Sequence, residues 1–512
     1  MSDSPDSAAL PISRGVLATA LALGTFMQVL DTTIANVSIP TISGNLGVSS
    51  DQGTWVITSF AVANGISVPL TGWLMQRFGV VRTFVLSVLA FTIASFLCGI
   101  AWSLTSLILF RVLQGAVSGP MIPGSQALLL SIFPPERKGA ALAVWSMTTL
   151  VAPICGPILG GEISDNYSWP WIFLINVPVG LFCAFICWRG LKARETPTRK
   201  LPIDVVGLAL LVIWVGVLQL MLDTGKDADW FESPAIIVEA IISVVGFIAF
   251  IIWEVSEKNP IVALSLFRSC SFTLGSLALV LGYAIFFGSV VLQPLWLETW
   301  LGYTATWAGL VAAPSGIIAV IISPLVGKYI GKGDPRIFAT IAFIAFGCSY
   351  FMRANYTADA SFGTYVLPLM VQGIGMATFF IAVLAIVLDG MPTSRVPAAS
   401  GLSNFMRITA GSFAASIVTT FWDRHATLHQ TQLAEATSIY DPRLQHSLDV
   451  LHSGGLTDMQ SLGALTRVLT SQSYLVSALD FFWISGWLSF AMIAVVWFTR
   501  RPRGGAVAAA AD

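Results

Sequence analysis

The chain has 512 residues, of which 55% are hydrophobic and 10% charged, with a mean hydropathy of +0.80 and a formal net charge of −1. So much apolar surface exceeds what a soluble core can hide and makes a lipid bilayer the natural solvent. The charge balance excludes polyanion binding driven by excess basic residues, and six cysteines lying in or beside apolar runs, with no repeated C-x-x-C, give no disulfide framework and no zinc module.

A helix needs about 20 apolar residues to cross the hydrocarbon core. Fourteen such runs are predicted, at 15–37, 54–74, 83–101, 106–128, 140–161, 171–188, 205–222, 235–253, 272–295, 305–327, 337–352, 365–388, 398–422 and 481–499. The first follows a single basic residue, Arg14, and continues through Asp31 and Asn36 without a small-residue cleavage site, so it reads as a retained first helix. Its Thr25, Gln28, Asp31, Thr32 and Asn36 form a polar stripe expected to face a water-filled cavity. An ionisable group inside a span is costly and is a functional candidate by default. Asp31 is therefore read either as a proton-exchanging group or as a carboxylate that reaches periplasmic water.

The second run ends in Gly72-Trp-Leu-Met-Gln76-Arg77-Phe-Gly79, a glycine-bounded turn expected to act as a conformational loop. The fourth carries Arg111, with Gln114, Gly115, Ser118 and Gly119 on its face, at a depth matching Asp31, which makes Arg111 a candidate partner for that carboxylate. In the fifth, Pro153, Gly156, Pro157, Gly160 and Gly161 combine helix-bending prolines with small residues at four-residue spacing. That pattern lets a neighbouring helix approach closely and seal one end of a cavity. The seventh and eighth runs read as an insertion, and Glu239 within it as structural or interfacial.

The runs on either side of the insertion echo each other. The loop 327–336 answers 72–79, and Gln372-Gly373-x-Gly375 answers Gln114-Gly115, so two six-helix bundles are expected to rock about a site between them. The expected organisation is a tail 1–14, a first bundle 15–188, a linker 189–204, the inserted pair 205–253, a second bundle 254–499 and a tail 500–512. Gln28, Asn36, Gln114, Trp145, Phe286, Phe287, Gln372 and Arg407 are candidates for lining an apolar, adaptable cavity. Nineteen of the 26 Lys and Arg residues fall in loops on one side and only five, Arg353 among them, on the other. This bias places both termini in the cytoplasm. The long polar segment 423–480 then lies outside, with helix-compatible stretches and all four histidines. Of these, His425 and His429 share a helical face but read as solvated, and no metal is assigned. No G-x-x-x-x-G-K-[ST] run is present, so bound ATP is not the energy source, and no cofactor is expected.

The segments Leu30-Asp31-Thr-Thr-Ile-Ala-Asn36, Thr54-Trp55-Val-Ile-Thr-Ser-Phe60, Arg111-Val-Leu-Gln114-Gly115, Gly156-Pro157-Ile-Leu-Gly160-Gly161, Trp171-Ile-Phe173-Leu-Ile-Asn176 and Ser403-Asn404-Phe405-Met-Arg407 together resemble the major facilitator superfamily. Within it they look like the fourteen-span drug:proton antiporters of the EmrB and QacA type. The resemblance implies an all-α polytopic protein of the bacterial inner membrane that exports hydrophobic drugs in exchange for protons. It further implies proton coupling at Asp31 and Arg111, an antiporter motif in the fifth span, and partnership with a periplasmic adaptor (membrane fusion) protein of the EmrA type and an outer-membrane channel of the TolC type. Segment 423–480 would be a candidate docking surface, the alternative being a passive long loop. Proton-coupled symport, or export of one narrow substrate such as a fatty acid, uses the same architecture and stays open; an enzyme does not fit, for want of converging catalytic side chains. One departure is plain: Gln76 stands where that superfamily usually has an acidic residue.

Overall fold

A computed structural model describes residues 11–134, 138–199, 202–258, 260–331, 333–392, 395–436 and 442–499; the expected tail 500–512 and the first ten residues lie outside these. The described residues are helical, without strands. The first half comprises α1 (Arg14–Leu46), α2 (Ser50–Ser67), α3 (Thr71–Phe78), α4 (Val80–Gly99), α5 (Leu104–Ser118), α6 (Met121–Ile132), α7 (Lys138–Asn166), α8 (Trp171–Leu174) and α9 (Asn176–Leu191). After α10 (Val205–Thr224) and α11 (Pro234–Ser256) come α12 (Cys270–Leu301), α13 (Ala305–Ile330), α14 (Pro335–Arg353), α15 (Phe362–Val387), α16 (Val396–Ala436), α17 (Pro442–Ser453) and α18 (Asp458–Trp497).

Eleven helical segments among the described residues are long and apolar enough to cross a membrane, or twelve if α2 and α3, bent by 57°, count as one span. The expected fourteen is thus met only in part. The two long helices that fall short are α7 and α16, and both contact the opposite half. Helix α7 packs on α13 and α15, and α16 packs on α2, α3, α6 and α10. A helix covered by protein can carry Ser, Thr and Asn that a lipid-facing helix cannot, so the interface position itself lowers their apolarity. At the other extreme, α11 is only 22% buried over its most apolar stretch.

Proline and glycine set the breaks and the close approaches. Pro69 withdraws an amide between α2 and α3, and Pro120 does so between α5 and α6. A Cβ on Gly115 would lie 2.5 Å from the Phe60 carbonyl oxygen, and one on Gly119 2.5 Å from the Ser67 carbonyl carbon, so these two positions let α5 lie directly on α2. The inserted pair is less peripheral than its composition suggests. Helix α10 touches both α2 and α16, Ser416 Oγ donates to the Leu222 carbonyl at 2.5 Å, and Lys226 pairs with Asp423 at 2.8 Å.

At the opposite end the linker straps the α3–α4 turn. The Val81 and Arg82 amides donate to the two Glu195 carboxylate oxygens at 3.0 and 2.8 Å, and Val80 N donates to Thr196 Oγ1 at 3.1 Å. Gly79, at φ +90°, leaves the room that Glu195 occupies. The acid missing at Gln76 is thus replaced, at the neighbouring helix N-terminus, by one from 116 residues later in sequence than Gly79. Because a carboxylate capping an N-terminus contributes about 1 kcal/mol, Glu195→Ala is expected to speed hydrogen exchange at Val81 and Arg82 by about fivefold. Unchanged exchange there would show that the strap carries no energy.

Among its described residues, segment 423–480 is largely a continuation of the long helices α16 and α18. With 41 and 40 residues, α16 and α18 each extend about 60 Å at 1.5 Å per residue, about twice the hydrocarbon thickness. Trp422 Nε1 donates to the Tyr474 carbonyl at 2.9 Å, Ser477 Oγ to the Trp422 carbonyl at 2.7 Å, and Gln430 Nε2 to Thr470 Oγ1 at 3.1 Å, which zips their extensions together.

Candidate functional site

The Asp31 and Arg111 side chains meet. Both are 0% exposed, and Arg111 Nη1 donates to Asp31 Oδ2 at 2.5 Å. The other carboxylate oxygen accepts from Gln114 Nε2 and Asn176 Nδ2, each at 3.0 Å. Arg111 in turn donates from Nε to the Val56 carbonyl at 2.9 Å and from Nη1 to Gln114 Oε1 at 2.7 Å, while its guanidinium lies 4.2 Å from the Phe60 ring centroid. Five helices supply this cluster: α1, α2, α5, α9, and α4, whose Ser95 Oγ accepts from Asn176 at 3.0 Å. The polar stripe of α1 does not face water at Asp31; that carboxylate lies inside the first half, and of the stripe only Asn36 is exposed.

Burying two charges is costly, and the pair persists because almost every lone pair and proton is used. Arg111 Nη2 alone has no hydrogen-bond partner. Removing the charge of one member leaves the other uncompensated, at a cost of about 3–5 kcal/mol. A proton on Asp31 does just that. In this packing it would leave Arg111 wholly buried without its counter-charge.

The small-residue face of α7 lies on α1 immediately beyond Asp31. A Cβ on Gly156 would collide with Thr33 Oγ1, and one on Gly160 would lie 2.9 Å from the Ile34 carbonyl oxygen. Ser38 and Ser164 hydroxyls share a hydrogen bond of 2.7 Å farther along the same seam. Gly161 points elsewhere, with nothing within 4 Å of a Cβ. Pro153 and Pro157 also fall within α7. One helix thus touches the α1 segment bearing Asp31 and, on α13 and α15, the opposite half.

Between the halves, Trp145 of α7 meets Leu279, Phe380, Leu384, Ser403, Asn404 and Arg407 around a pocket of about 10 Å³, the room of about one water. Trp145 Nε1 donates to Ser125 Oγ at 3.2 Å, and Arg407 donates to Asn404 Oδ1 at 3.2 and 3.3 Å with its guanidinium 4.7 Å from the Tyr283 ring centroid. Phe287 stacks on Tyr283 at 5.6 Å, and Phe286 on Phe346 at 6.0 Å. Nearby, Ala398 lies 3.1 Å from where a Cβ on Gly72 would stand. Of the cavity candidates, the structure gathers Trp145 and Arg407 at the pocket, with Phe286 and Phe287 in the adjoining aromatic cluster. Gln28 is buried, with its side-chain amide oxygen Oε1 unpartnered. Gln114 belongs to the charge cluster, and Arg77 stacks near Trp73 and Phe78.

Gln372 is not at the pocket either. Its amide oxygen accepts from Arg353 Nη2, its Nε2 donates to Ser289 Oγ at 3.3 Å, and Arg353 Nη1 reaches the same hydroxyl at 3.3 Å. Arg353, expected in an outer loop, is 0% exposed and packs against the Tyr350 and Phe482 rings at 5.3 and 5.4 Å. This is the second half's counterpart of the Asp31 cluster, with a guanidinium and neutral acceptors but no carboxylate. Sequence reading missed it because Arg353 follows the last apolar residue of its run, where a loop assignment is natural. Asn176 and Ser95 were also missed; an amide in an apolar run is the one signal that pointed to the former.

The Major Facilitator Superfamily profile matches residues 21–415. Among curated relatives, the chain is 50% identical over 490 residues to "Multidrug export protein EmrB" of Escherichia coli (strain K12), covering 96% of each. It is 46% identical over 482 residues to "Fatty acid resistance protein FarB" of Neisseria gonorrhoeae, covering 94% of this chain and 95% of that one. Among solved structures, the human organic anion transporter MFSD10 (TETRAN) matches 95% of this chain and 100% of its own with a TM-score of 0.59 at 13% identity, a likeness of fold alone.

Proposed function

The chain belongs to the major facilitator superfamily, a family of membrane transporters and not of enzymes, and on that premise we propose that it exports hydrophobic, drug-like molecules in exchange for protons. The observation that carries the coupling is the wholly buried Asp31–Arg111 pair, set against the helix that spans both halves. Asp31 takes a proton when the site opens outward, the pair parts, and substrate leaves; the return restores the pair and releases the proton inward. Arg111 is the counter-charge that makes the protonated state unfavourable in the closed packing. One charge driven through 100 mV supplies about 2.3 kcal/mol, enough to hold a gradient of more than tenfold.

In this reading α7 and α16 cross the membrane as well, giving fourteen spans, two six-helix bundles and an inserted pair, with both termini cytoplasmic in a bacterial inner membrane. Export onward would use a periplasmic adaptor of the EmrA type and an outer channel of the TolC type, docked on the α16–α18 extension. The name of the first relative, a multidrug export protein, supports the substrate class. That of the second supports a narrower alternative, fatty acids.

The test uses the purified full chain in liposomes with an imposed proton gradient and a pH-sensitive dye inside. Addition of hydrophobic drugs is expected to trigger proton movement. Movement with fatty acids alone would select the narrower substrate, and none with either, in vesicles where insertion is verified, would overturn antiport.

A further inference from the structure

We infer that His425, His429 and Asp480 form a divalent transition-metal site, suited to Zn²⁺, that ties α16 to α18 where their extension leaves the bundle. The two histidines are one helical turn apart on α16 and so share a face, while the aspartate comes from the antiparallel α18, 51 residues beyond His429. The three candidate ligand atoms all lie within 4.8 Å of one another. His429 Nε2 is 2.7 Å and His425 Nδ1 3.6 Å from the same oxygen, Asp480 Oδ2. Ligand atoms 2.0–2.2 Å from a tetrahedral zinc stand about 3.3 Å apart, so the two His–Asp spacings bracket the coordinated one, and side-chain rotation would set the His–His spacing, now within 4.8 Å.

Electrostatics points the same way. Two imidazole nitrogens and a carboxylate oxygen converge, and each presents a lone pair when neutral or ionised in the usual sense. One proton on His429 Nε2 satisfies the shorter contact, but His425 Nδ1 then faces the shared oxygen beyond hydrogen-bonding distance. A single cation at the centre satisfies all three at once. The frame is prepared as well. The Phe421 ring stacks on His425 with centroids 3.8 Å apart, and the hydrogen bonds of Trp422, Gln430 and Ser477 hold the two helices in register on either side. The ligand residues are partly exposed, at 40%, 19% and 39% of their side chains, so the ion has an entry path and water can fill the fourth position.

The other two histidines supply an internal control. His452 pairs with Asp458, far along the extension, and has no third ligand beside it among the described residues.

The experiment takes the purified full chain, freed of any polyhistidine tag and of bound metal, and titrates Zn²⁺ against a chromophoric chelator. One ion per chain is expected. Binding should weaken at least tenfold in His429→Ala and in Asp480→Asn, and should be unchanged in His446→Ala and His452→Ala. Zn²⁺ should also raise the thermal midpoint of the wild-type chain and of those two controls only; the metal-free midpoints of all variants, measured first, identify any that misfold, and His425→Gln then takes their place. X-ray absorption should show nitrogen and oxygen ligands at about 2.0–2.2 Å. Substoichiometric binding, equal binding by the ligand variants, or a sulfur shell at about 2.3 Å from the cysteines would overturn the site.

Discussion

Arg111→Gln is expected to lower the stability of the folded protein by about 3–5 kcal/mol, because it leaves the Asp31 carboxylate charged and wholly buried without its cation. Asp31→Asn leaves the reverse fault, a lone buried guanidinium. The double variant Asp31→Asn/Arg111→Gln removes both charges and retains polar partners in Gln114, Asn176 and the Val56 carbonyl. It should therefore regain most of the lost stability, giving a coupling energy well above the few tenths of a kcal/mol found for independent sites. Drug-driven proton movement should nonetheless be absent, since the carboxylate of the cluster is gone. Thermal midpoints in detergent and dye-reported flux in liposomes read the two quantities separately. A double variant that still exchanged protons for drug would remove Asp31 from the mechanism, and additive losses of stability would mean that the pair is not a unit.

The second expectation concerns the seam between α1 and α7. Gly156→Ala places a methyl group against Thr33, and Gly160→Ala places one 2.9 Å from a backbone oxygen that cannot yield cheaply. Overpacking of this sort costs about 1–3 kcal/mol, and here it falls on the contact that joins the Asp31 segment to the helix shared by both halves. Transport should fall about tenfold or more in each. Gly161→Ala, one residue on, meets open space and should stay within about twofold of wild type. Equal effects at positions 156 and 161 would mean that the motif acts through helix flexibility and not through close approach.

The helices were legible in the sequence because spanning a bilayer demands long apolar runs, and the partnership of Asp31 with Arg111 was legible because few charges sit inside such runs. What periodicity could not supply is which polar residue faces which neighbour. Gln114 and Gln372 look like cavity residues on their helices, yet each accepts a hydrogen bond from a buried cation in its own bundle. Glu195 looks like part of a charged linker, and only the fold brings it to the amides of Val81 and Arg82. The same holds for Asp480, whose approach to two histidines depends on α16 and α18 running side by side. The span count is blurred for a related reason: the helices that cover one another need not be apolar.

Arg353 gives the two halves different electrical characters. A guanidinium does not lose its proton in proteins, and Gln372 and Ser289 offer it dipoles and no compensating charge, so this cluster of the second half holds a fixed buried positive charge. The first half's cluster differs in setting a carboxylate, Asp31, directly against its guanidinium. On the antiport proposed above, a proton on Asp31 would leave a buried guanidinium without a counter-charge in each half, Arg111 in the first and Arg353 in the second.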